Sequence, residues 1–148
     1  MSQSRFLAMP CPVAHASAVL GERWVILILR EAYYGSTRFE EFQRRLGIAS
    51  NILSARLQAM TDHGLLERRK LEGSTRCAYF LTDSARDFLP TYLSLKAWAE
   101  RWVAQPKRRA KRFVDKQTGS EIVAPPLSRA DGSPIAFEDV QVIDALLR

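Results

Sequence analysis

The sequence predicts a mainly α-helical fold with one small β-hairpin, and three patterns support this prediction. Apolar residues recur at steps of three and four through most of residues 11–105, which is the period of amphipathic helices. Two short stretches, residues 65–71 and 77–81, flank the turn sequence EGST and predict the hairpin. Two of the predicted helices are joined by only about three residues, which predicts a helix-turn-helix.

Length, composition and charge narrow the class of protein. A chain of 148 residues is long enough for one core and short for two full domains. It has 22 Lys and Arg against 16 Asp and Glu, a formal charge of +6 that favours a nucleic acid or an anionic membrane as partner. We find no signal-peptide pattern and no apolar run that could span a bilayer. The sequence therefore predicts a cytoplasmic protein with reduced thiols.

The first two predicted helices cover residues 11–21 and 22–34. Pro12 suits the first position of a helix, and Gly21 ends it. The apolar positions of the first helix that share a face are Val13, Ala16 and Leu20. The second contains WVILIL with almost no polar interruption, so we expect it to be central and buried.

The third and fourth helices form the predicted helix-turn-helix. Thr37 and Glu40 fit a capping box at the start of the third helix, which ends at Gly47. The fourth opens at Ala49 or Ser50 and ends near Gly64. Their buried positions are predicted to be Phe39, Phe42, Leu46, Leu53, Leu57 and Met60. A hairpin after two such helices is the winged-helix arrangement.

A long last helix is predicted from the capping pair Thr82-Asp83 to about residue 105. Pro90 lies inside it and is expected to kink or split it, because proline cannot donate the backbone bond. One apolar seam has heptad spacing and suits a partner helix: Phe88, Tyr92, Leu95, Ala99 and Trp102. A neighbouring face comprises Leu89, Leu93 and Trp98. One surface can serve the chain's own core and the other a second subunit, although a single wide core face is the alternative.

These patterns predict a winged helix-turn-helix domain with helices suited to dimerisation at residues 1–105 and a short extension at 106–148. The extension opens with the basic run PKRRAKR, which is most simply a solvated helix end or linker. Its turn signals allow only short strands, and its terminal FEDVQVIDALLR fits either strand or helix.

The exposed side of the fourth helix carries short polar side chains. Only one residue between Ala49 and Thr61 is charged, Arg56. A recognition helix in a DNA major groove needs such a surface, because short donors and acceptors reach base edges whereas carboxylates would be repelled by phosphates. The residues predicted to contact DNA here are Ser50, Asn51, Ser54 and Gln58. The alternative is an ordinary polar surface.

Cations flank this helix in the sequence. Residues 38–76 contain eight Lys and Arg and five Asp and Glu. The basic residues before the turn and on the hairpin are Arg38, Arg44, Arg45, Arg68, Arg69, Lys70 and Arg76. Lys70 and Arg76 flank the EGST turn, where they are predicted to enter a minor groove or clamp the DNA backbone, unless they are simply solvated.

Three segments together resemble the HxlR family of bacterial winged-helix regulators, which are relatives of the MarR type. They read CPVAHASAVLGERWVILILRE, TRFEEFQRRLGIASNILSARLQAMTDHGLLERR and CAYFLTDSARDFLPTYLSLKAWAERW. The resemblance implies a homodimeric DNA-binding transcription factor in which the first and last helices form the dimer. It also implies DNA-proximal positions for Arg38, Ser50, Asn51, Ser54 and Arg56. Arg56 has a competing role as an ion-pair partner within the winged helix.

Some members of that family sense oxidants or electrophiles through an N-terminal cysteine, and Cys11 stands at that position. A helix N-terminus favours the thiolate, and His15 lies one turn further on. The alternative is an unreactive packed cysteine. Cys77 is expected to be a core residue of the second strand and His63 a surface residue at a helix end. The extension contains no cysteine, so no metal or disulfide role is predicted for it.

The sequence shows none of the common catalytic motifs, so we expect neither enzymatic activity nor a cofactor. The predicted function is that of a homodimeric regulator, more often a repressor than an activator, on double-stranded DNA with a pseudo-palindromic operator. A small effector or oxidation of Cys11 would control it. The alternative is a winged-helix interaction or dimerisation module that does not bind DNA. A membrane-surface role is the least favoured.

Overall fold

The computed structural model describes residues 3–103 and 111–143, and the chain divides into two compact units, Met1–Phe88 and Leu89–Arg148. The first unit contains α1 (Gln3–Leu7), α2 (Pro12–Leu20), α3 (Arg23–Tyr33), α4 (Phe39–Leu46), α5 (Ser50–Asp62), β1 (Leu66–Lys70), β2 (Cys77–Leu81) and α6 (Asp83–Asp87). The second contains α7 (Leu89–Trp102) and a short 3₁₀ turn (Phe137–Asp139). The predicted order of helices and hairpin is confirmed, and α1 is an additional helix that the sequence did not indicate.

The core of the first unit is built around α3, as its apolar sequence predicted. Val25, Ile28 and Leu29 are buried and pack in one cluster with the inner faces of α4 and α5. The buried residues that α4 and α5 contribute are Phe42, Leu53, Leu57 and Met60. These two helices therefore hold the candidate site on a rigid core.

The start of α4 differs from the predicted capping box. Arg38 is the N-cap residue, and the acceptor is Glu41, not Glu40. One carboxylate oxygen of Glu41 accepts from the backbone N–H groups of Thr37, at 2.9 Å, and Arg38, at 3.1 Å. The prediction was one residue out of register because two adjacent glutamates each fit the capping pattern. Gly47 ends α4 with a φ of 62°, the left-handed conformation that glycine adopts readily.

The hairpin is a two-stranded antiparallel sheet in which Leu66 pairs with Leu81 and Lys70 pairs with Cys77. The strand at 66–70 is one residue shorter at each end than predicted. The backbone N–H of Tyr79 donates to the Thr37 carbonyl at 2.7 Å, which attaches the hairpin to the residue before α4. The wing and the helix-turn-helix are thus linked through the backbone.

Helix α6 is capped by its own N-cap residue and is attached to α3 by a hydrogen bond. The Thr82 hydroxyl oxygen accepts from the Ala85 N–H, which confirms the predicted N-terminal cap. The Tyr33 hydroxyl donates to the Ala85 carbonyl at 2.6 Å. Burial raises the pKa of Tyr33 to about 12, so its hydroxyl keeps its proton at neutral pH and remains a donor.

The three apolar positions predicted to share a face of α2 differ in burial, because Leu20 is partly buried against the core whereas Val13 and Ala16 are not. Val13 is 72% exposed and Ala16 is also exposed, whereas Ala18 is buried and Val19 is partly buried. Helix α2 is composed almost entirely of small and apolar residues, so its periodicity does not single out one face. Packing against α1 and α3 decides the face instead.

In the second unit, α7 begins at Leu89, so the long last helix is split just before Pro90, as predicted. Neither predicted apolar stripe is buried as a whole. Tyr92 and Leu93, one from each stripe, are buried, whereas Trp98 is 57% and Trp102 is 69% exposed. Most of the basic run at 106–112 lies outside the described residues. In the described part of the extension, isolated bridges join Val114 to Glu121 and Ser128 to Pro134, in agreement with the prediction of only short strands.

Among the described residues, no single helix is long and apolar enough to cross a membrane, and α2 and α3 meet those criteria only as a pair bent by 77°.

Candidate nucleic-acid interface

The outer face of α5 is as the sequence predicted. Ser50, Asn51, Ser54 and Gln58 are all exposed, while the buried residues of the same helix lie on its opposite side. Their side chains are short or neutral and contain both hydrogen-bond donors and acceptors. This face can therefore approach a surface that presents base edges and phosphates.

Gln58 is held by a neighbour on the same face. Its amide Nε2 donates to Oδ1 of Asp62 at 2.8 Å, across one turn of the helix. The face predicted from the sequence ended at residue 58 and did not include this carboxylate. The amide retains a second N–H and the acceptor Oε1, through which Gln58 can contact DNA.

Arg56 projects from a different flank of α5. Its guanidinium Nη2 lies 3.0 Å from Oε2 of Glu22, the residue that precedes α3. Two roles were predicted for Arg56, a position close to DNA and an ion pair within the winged helix, and this geometry shows the ion pair. Ser54 lies on the other flank of α5, facing the wing.

A cavity of about 320 Å³ brings together the N-terminus of α4, α5 and the wing. Arg38, Arg68 and Arg76 line it, together with Ser54 and the single acid Glu40. Three cations against one carboxylate leave an excess of positive charge, which favours an anion such as a phosphate. Three predicted contact residues, Arg38, Ser54 and Arg76, are thus brought to one place by the fold.

Arg68 also belongs to this cluster, although it was predicted only as one of several cations of the hairpin. It pairs with Tyr79 in the register of the hairpin, and both residues line the cavity. Lys70 lies two residues further along β1 and so projects from the same side of the sheet, where it is exposed. The alternation of Arg68 and Lys70 is the signal that could have identified this face.

Two other cations counted toward the basic surface are engaged within the protein. Arg45 lies 3.7 Å from the carboxylate of Glu31, which is buried and also pairs with Arg30 at 2.9 Å. Arg69 lies 3.2 Å from Glu67, on the side of the sheet opposite Arg68. Its guanidinium also stacks 4.3 Å from the centre of the Phe80 ring. Fewer cations are therefore available to phosphates than the number of basic residues in the sequence suggested.

Hydrogen bonds from the backbone N–H of Thr37 and then of Arg38 lower the pKa of Glu41 below its usual value of 4.5. Because folding lowers its pKa, the Glu41 carboxylate stabilises the folded state at pH values above its unfolded-state pKa. This stabilisation is lost as the pH falls through the folded-state pKa.

We expect Glu41→Ala to lower the free energy of unfolding at pH 7 by about 0.5–1 kcal/mol, since capping interactions on exposed helix ends lie in that range. Urea unfolding at a series of pH values measures the loss, and the difference from wild type should shrink below pH 4.5. Glu40→Ala is the matched control and should change stability less. Equal losses for the two variants would contradict the assignment of Glu41 as the acceptor.

Cys11 is the N-cap of α2 and is an exposed free thiol. Nε2 of His15 donates to the Met9 carbonyl at 2.7 Å, so this nitrogen carries a proton and is occupied by the backbone. The His15 imidazole therefore stabilises the segment before α2. Its Nε2 is not available to give the Cys11 thiol the assistance predicted from the sequence.

Cys77, which was predicted to be a core residue, is only partly buried at the start of β2 and lines the cavity that contains Arg38, Arg68 and Arg76 (the arginine cavity). His63 is exposed at the end of α5, as predicted.

In the described residues, no group of three or more His, Cys, Asp or Glu could hold a metal ion.

The fold and the charge of this surface define a winged helix-turn-helix protein with a face suited to nucleic acid. The model of the HxlR-like helix-turn-helix family matches residues 19–107, more than half of the chain. This protein belongs to the HxlR-like helix-turn-helix family.

Comparisons with individual proteins agree with this assignment. A protein of Mycobacterium tuberculosis (strain ATCC 25618 / H37Rv), named HTH-type transcriptional regulator Rv3095, is 36% identical over 96 residues. The match covers 64% of this chain and 61% of the relative, so the chain spans less than two thirds of the length of that protein.

Solved structures of other regulators resemble this one. The crystal structure of PA1607, assigned as a transcription factor, is 35% identical with a TM-score of 0.87, and the match covers 95% of this chain and 99% of PA1607. The reduced form of the transcriptional regulator YodB from Bacillus subtilis is 26% identical with a TM-score of 0.56, covering 64% of this chain and 96% of YodB.

Proposed function

We propose that this protein is a sequence-specific, DNA-binding transcriptional regulator without enzymatic activity that works in the cytoplasm. The observation that supports this proposal best is the position of the cavity lined by Arg38, Arg68 and Arg76 beside the neutral face of α5. The cationic site suits phosphates, and the adjoining face of α5, which is free of lysine and glutamate, suits base edges. Membership of the HxlR-like family and the names of the relatives point the same way.

Within this function, the residues have different roles. Ser50, Asn51, Ser54 and Gln58 contact base edges or nearby phosphates from α5. The residues that bind the DNA backbone are Arg38, Arg68, Lys70 and Arg76. Arg56 acts indirectly, because its ion pair with Glu22 restrains the flank of α5.

The regulator acts as a homodimer on a pseudo-palindromic operator, with two α5 helices in successive major grooves about 34–36 Å apart. Exposed apolar side chains on the helices assigned to dimerisation support this arrangement: Val13 on α2, and Leu95, Trp98 and Trp102 on α7. Large apolar residues in such numbers mark surfaces that a partner covers. A dimer bound at a promoter blocks polymerase, so repression is the expected outcome.

Replacement of Asn51 by alanine tests base readout. We expect Asn51→Ala to weaken binding to a duplex selected by the protein by about 1–3 kcal/mol, and to leave binding to random-sequence duplex nearly unchanged. Fluorescence anisotropy with both duplexes measures the two affinities. Gln117→Ala removes an exposed amide from the extension and should change neither affinity. Equal losses on the two duplexes would show that Asn51 does not read a base.

Regulation through Cys11 follows from its position at the surface and at the N-terminus of α2. YodB has been solved in reduced, quinone-bound and diamide-treated forms, which supports a thiol-based response in this family.

We expect diamide, which is reduced to the hydrazine as it joins the Cys11 thiols of two protomers in a disulfide, to change the operator affinity of the wild type and to have no effect on Cys11→Ser. The matched control is Cys77→Ser, in which the response should persist. A response that survives in Cys11→Ser, or disappears only in Cys77→Ser, would contradict the proposed role of Cys11.

A further inference from the structure

A second cavity, of about 390 Å³, lies on the flank of α5 that faces away from the wing. Its floor is apolar and buried, formed by Ala18, Val25 and Met60, and Phe6 of α1 contributes an aromatic wall. The volume falls within the range of about 300–1,000 Å³ that small-molecule sites occupy. This cavity is separate from the arginine cavity beside the wing, with which it shares no lining residue.

The guanidinium of Arg56 is the cationic group of this cavity, whose other polar lining residues are Gln3, Ser17, Glu22 and His63. The Nε of Arg56 is buried and has no hydrogen-bond partner among the described residues, whereas Nη2 holds the Glu22 carboxylate at 3.0 Å. Nε–H and one terminal amino group of a guanidinium point the same way along one edge, which matches the two oxygens of a carboxylate. Glu22 meets this edge through Nη2 only and leaves the second donor without an acceptor.

Glu22 can leave this edge at small cost because its side chain is 57% exposed and water can solvate the carboxylate. A ligand carboxylate that takes its place would bond to both Nε–H and Nη2 and satisfy the orphaned donor. An unsatisfied buried donor is unfavourable, so the exchange gains stability that the Glu22 pair does not provide. The remaining ligand surface would rest on the apolar floor.

We propose that this cavity is an effector site for a small aromatic carboxylate, whose carboxylate binds Arg56 in place of Glu22 and whose rings lie on the apolar floor. Helix α1 covers part of the site: the Gln3 amide donates to the Ala18 carbonyl at 2.6 Å and lies 3.2 Å from Nε2 of His63. Arg56 belongs to α5 and His63 ends it, so an occupied cavity bears directly on the recognition helix. The regulatory half of this inference rests on the proposed function, whereas ligand binding does not.

The experiment uses the full-length protein and 2-naphthoate as the probe, with 2-naphthamide as the uncharged control of the same shape. Isothermal titration calorimetry is expected to show binding of the acid and at least tenfold weaker binding of the amide. Arg56→Met should weaken 2-naphthoate at least tenfold. Glu22→Gln removes the competing carboxylate and should tighten binding severalfold. Arg44→Met, which changes an exposed arginine of α4 outside the cavity, should leave the affinity unchanged.

Absence of 2-naphthoate binding to both the wild type and Glu22→Gln would overturn the proposal, and so would binding that Arg56→Met leaves unchanged. The Glu22→Gln measurement stands even if Arg56→Met fails to fold. The regulatory half is tested by operator affinity with and without saturating 2-naphthoate. A difference of less than twofold would overturn regulation, while the operator affinity of the unliganded protein separately tests the proposed function.

Discussion

We expect the double variant Lys70→Glu/Arg76→Glu, which reverses the charge at the tip of the wing, to bind every duplex more weakly. The expected loss of affinity is roughly 60-fold for each protomer at 0.1 M salt. This value follows from counterion release, in which each phosphate contact contributes a factor of about eight at that salt concentration. The slope of log affinity against log salt should become less steep by about 0.9 for each phosphate that the variant no longer neutralises. Anisotropy titrations at several salt concentrations measure both quantities.

The matched control is Arg86→Glu/Lys116→Glu, which makes the same change in net charge at exposed positions outside the proposed interface. It should alter affinity far less, because a direct ion pair with a phosphate is worth more than a distant charge in screened solution. If both double variants weaken binding equally, only net charge matters and the wing does not touch DNA. If wild-type affinity does not fall as salt rises, the protein is an interaction module and does not bind DNA through phosphates.

Phe42→Ala is expected to lower the free energy of unfolding by about 3–5 kcal/mol, the usual cost of removing a fully buried aromatic ring. Phe42 is 0% exposed and belongs to the cluster that joins α4 and α5 to α3. A loss of this size is a large fraction of the stability of a typical domain, which is about 5–15 kcal/mol. Urea unfolding measures this loss. The midpoint urea concentration should decrease, while the slope of unfolding free energy against urea concentration should stay unchanged.

Phe137→Ala is the control, because the same side chain is 81% exposed in the extension. Its stability should stay within about 0.5 kcal/mol of wild type, as for most surface substitutions. If Phe42→Ala costs less than about 1 kcal/mol, the core does not depend on this ring. The positions of α4 and α5 would then need another explanation.

The helix-turn-helix and the hairpin could be predicted because their signals are local. Gly47 and Pro90 mark boundaries through their own backbone chemistry, and the steps of three and four that include Phe42 and Leu57 indicate the inner faces. The face of α2 could not be predicted in this way. Almost every residue of α2 is small or apolar, and which of them are buried depends on its neighbours.

The candidate site was predicted in part. The exposed polar face of α5 followed from periodicity, since the opposite side of an amphipathic helix is turned away from the core. The partners of individual charges did not follow. Arg45 pairs with Glu31, 14 residues earlier, and Arg56 with Glu22, 34 residues earlier, and no spacing rule relates such distant positions.

The sequence by itself determined the order of the helices from α2 to α7 and of the hairpin, their boundaries to within a few residues, and which face of α5 is polar, because these depend on residues close to one another in the chain. Only the tertiary structure decided which cations remain available to phosphates. Packing brings Arg38, Arg68 and Arg76 from separate elements to one cavity and places Arg45 and Arg56 against acids. The physical reason is that the charge of a surface depends on distances between segments far apart in the chain, and only the packed core sets those distances.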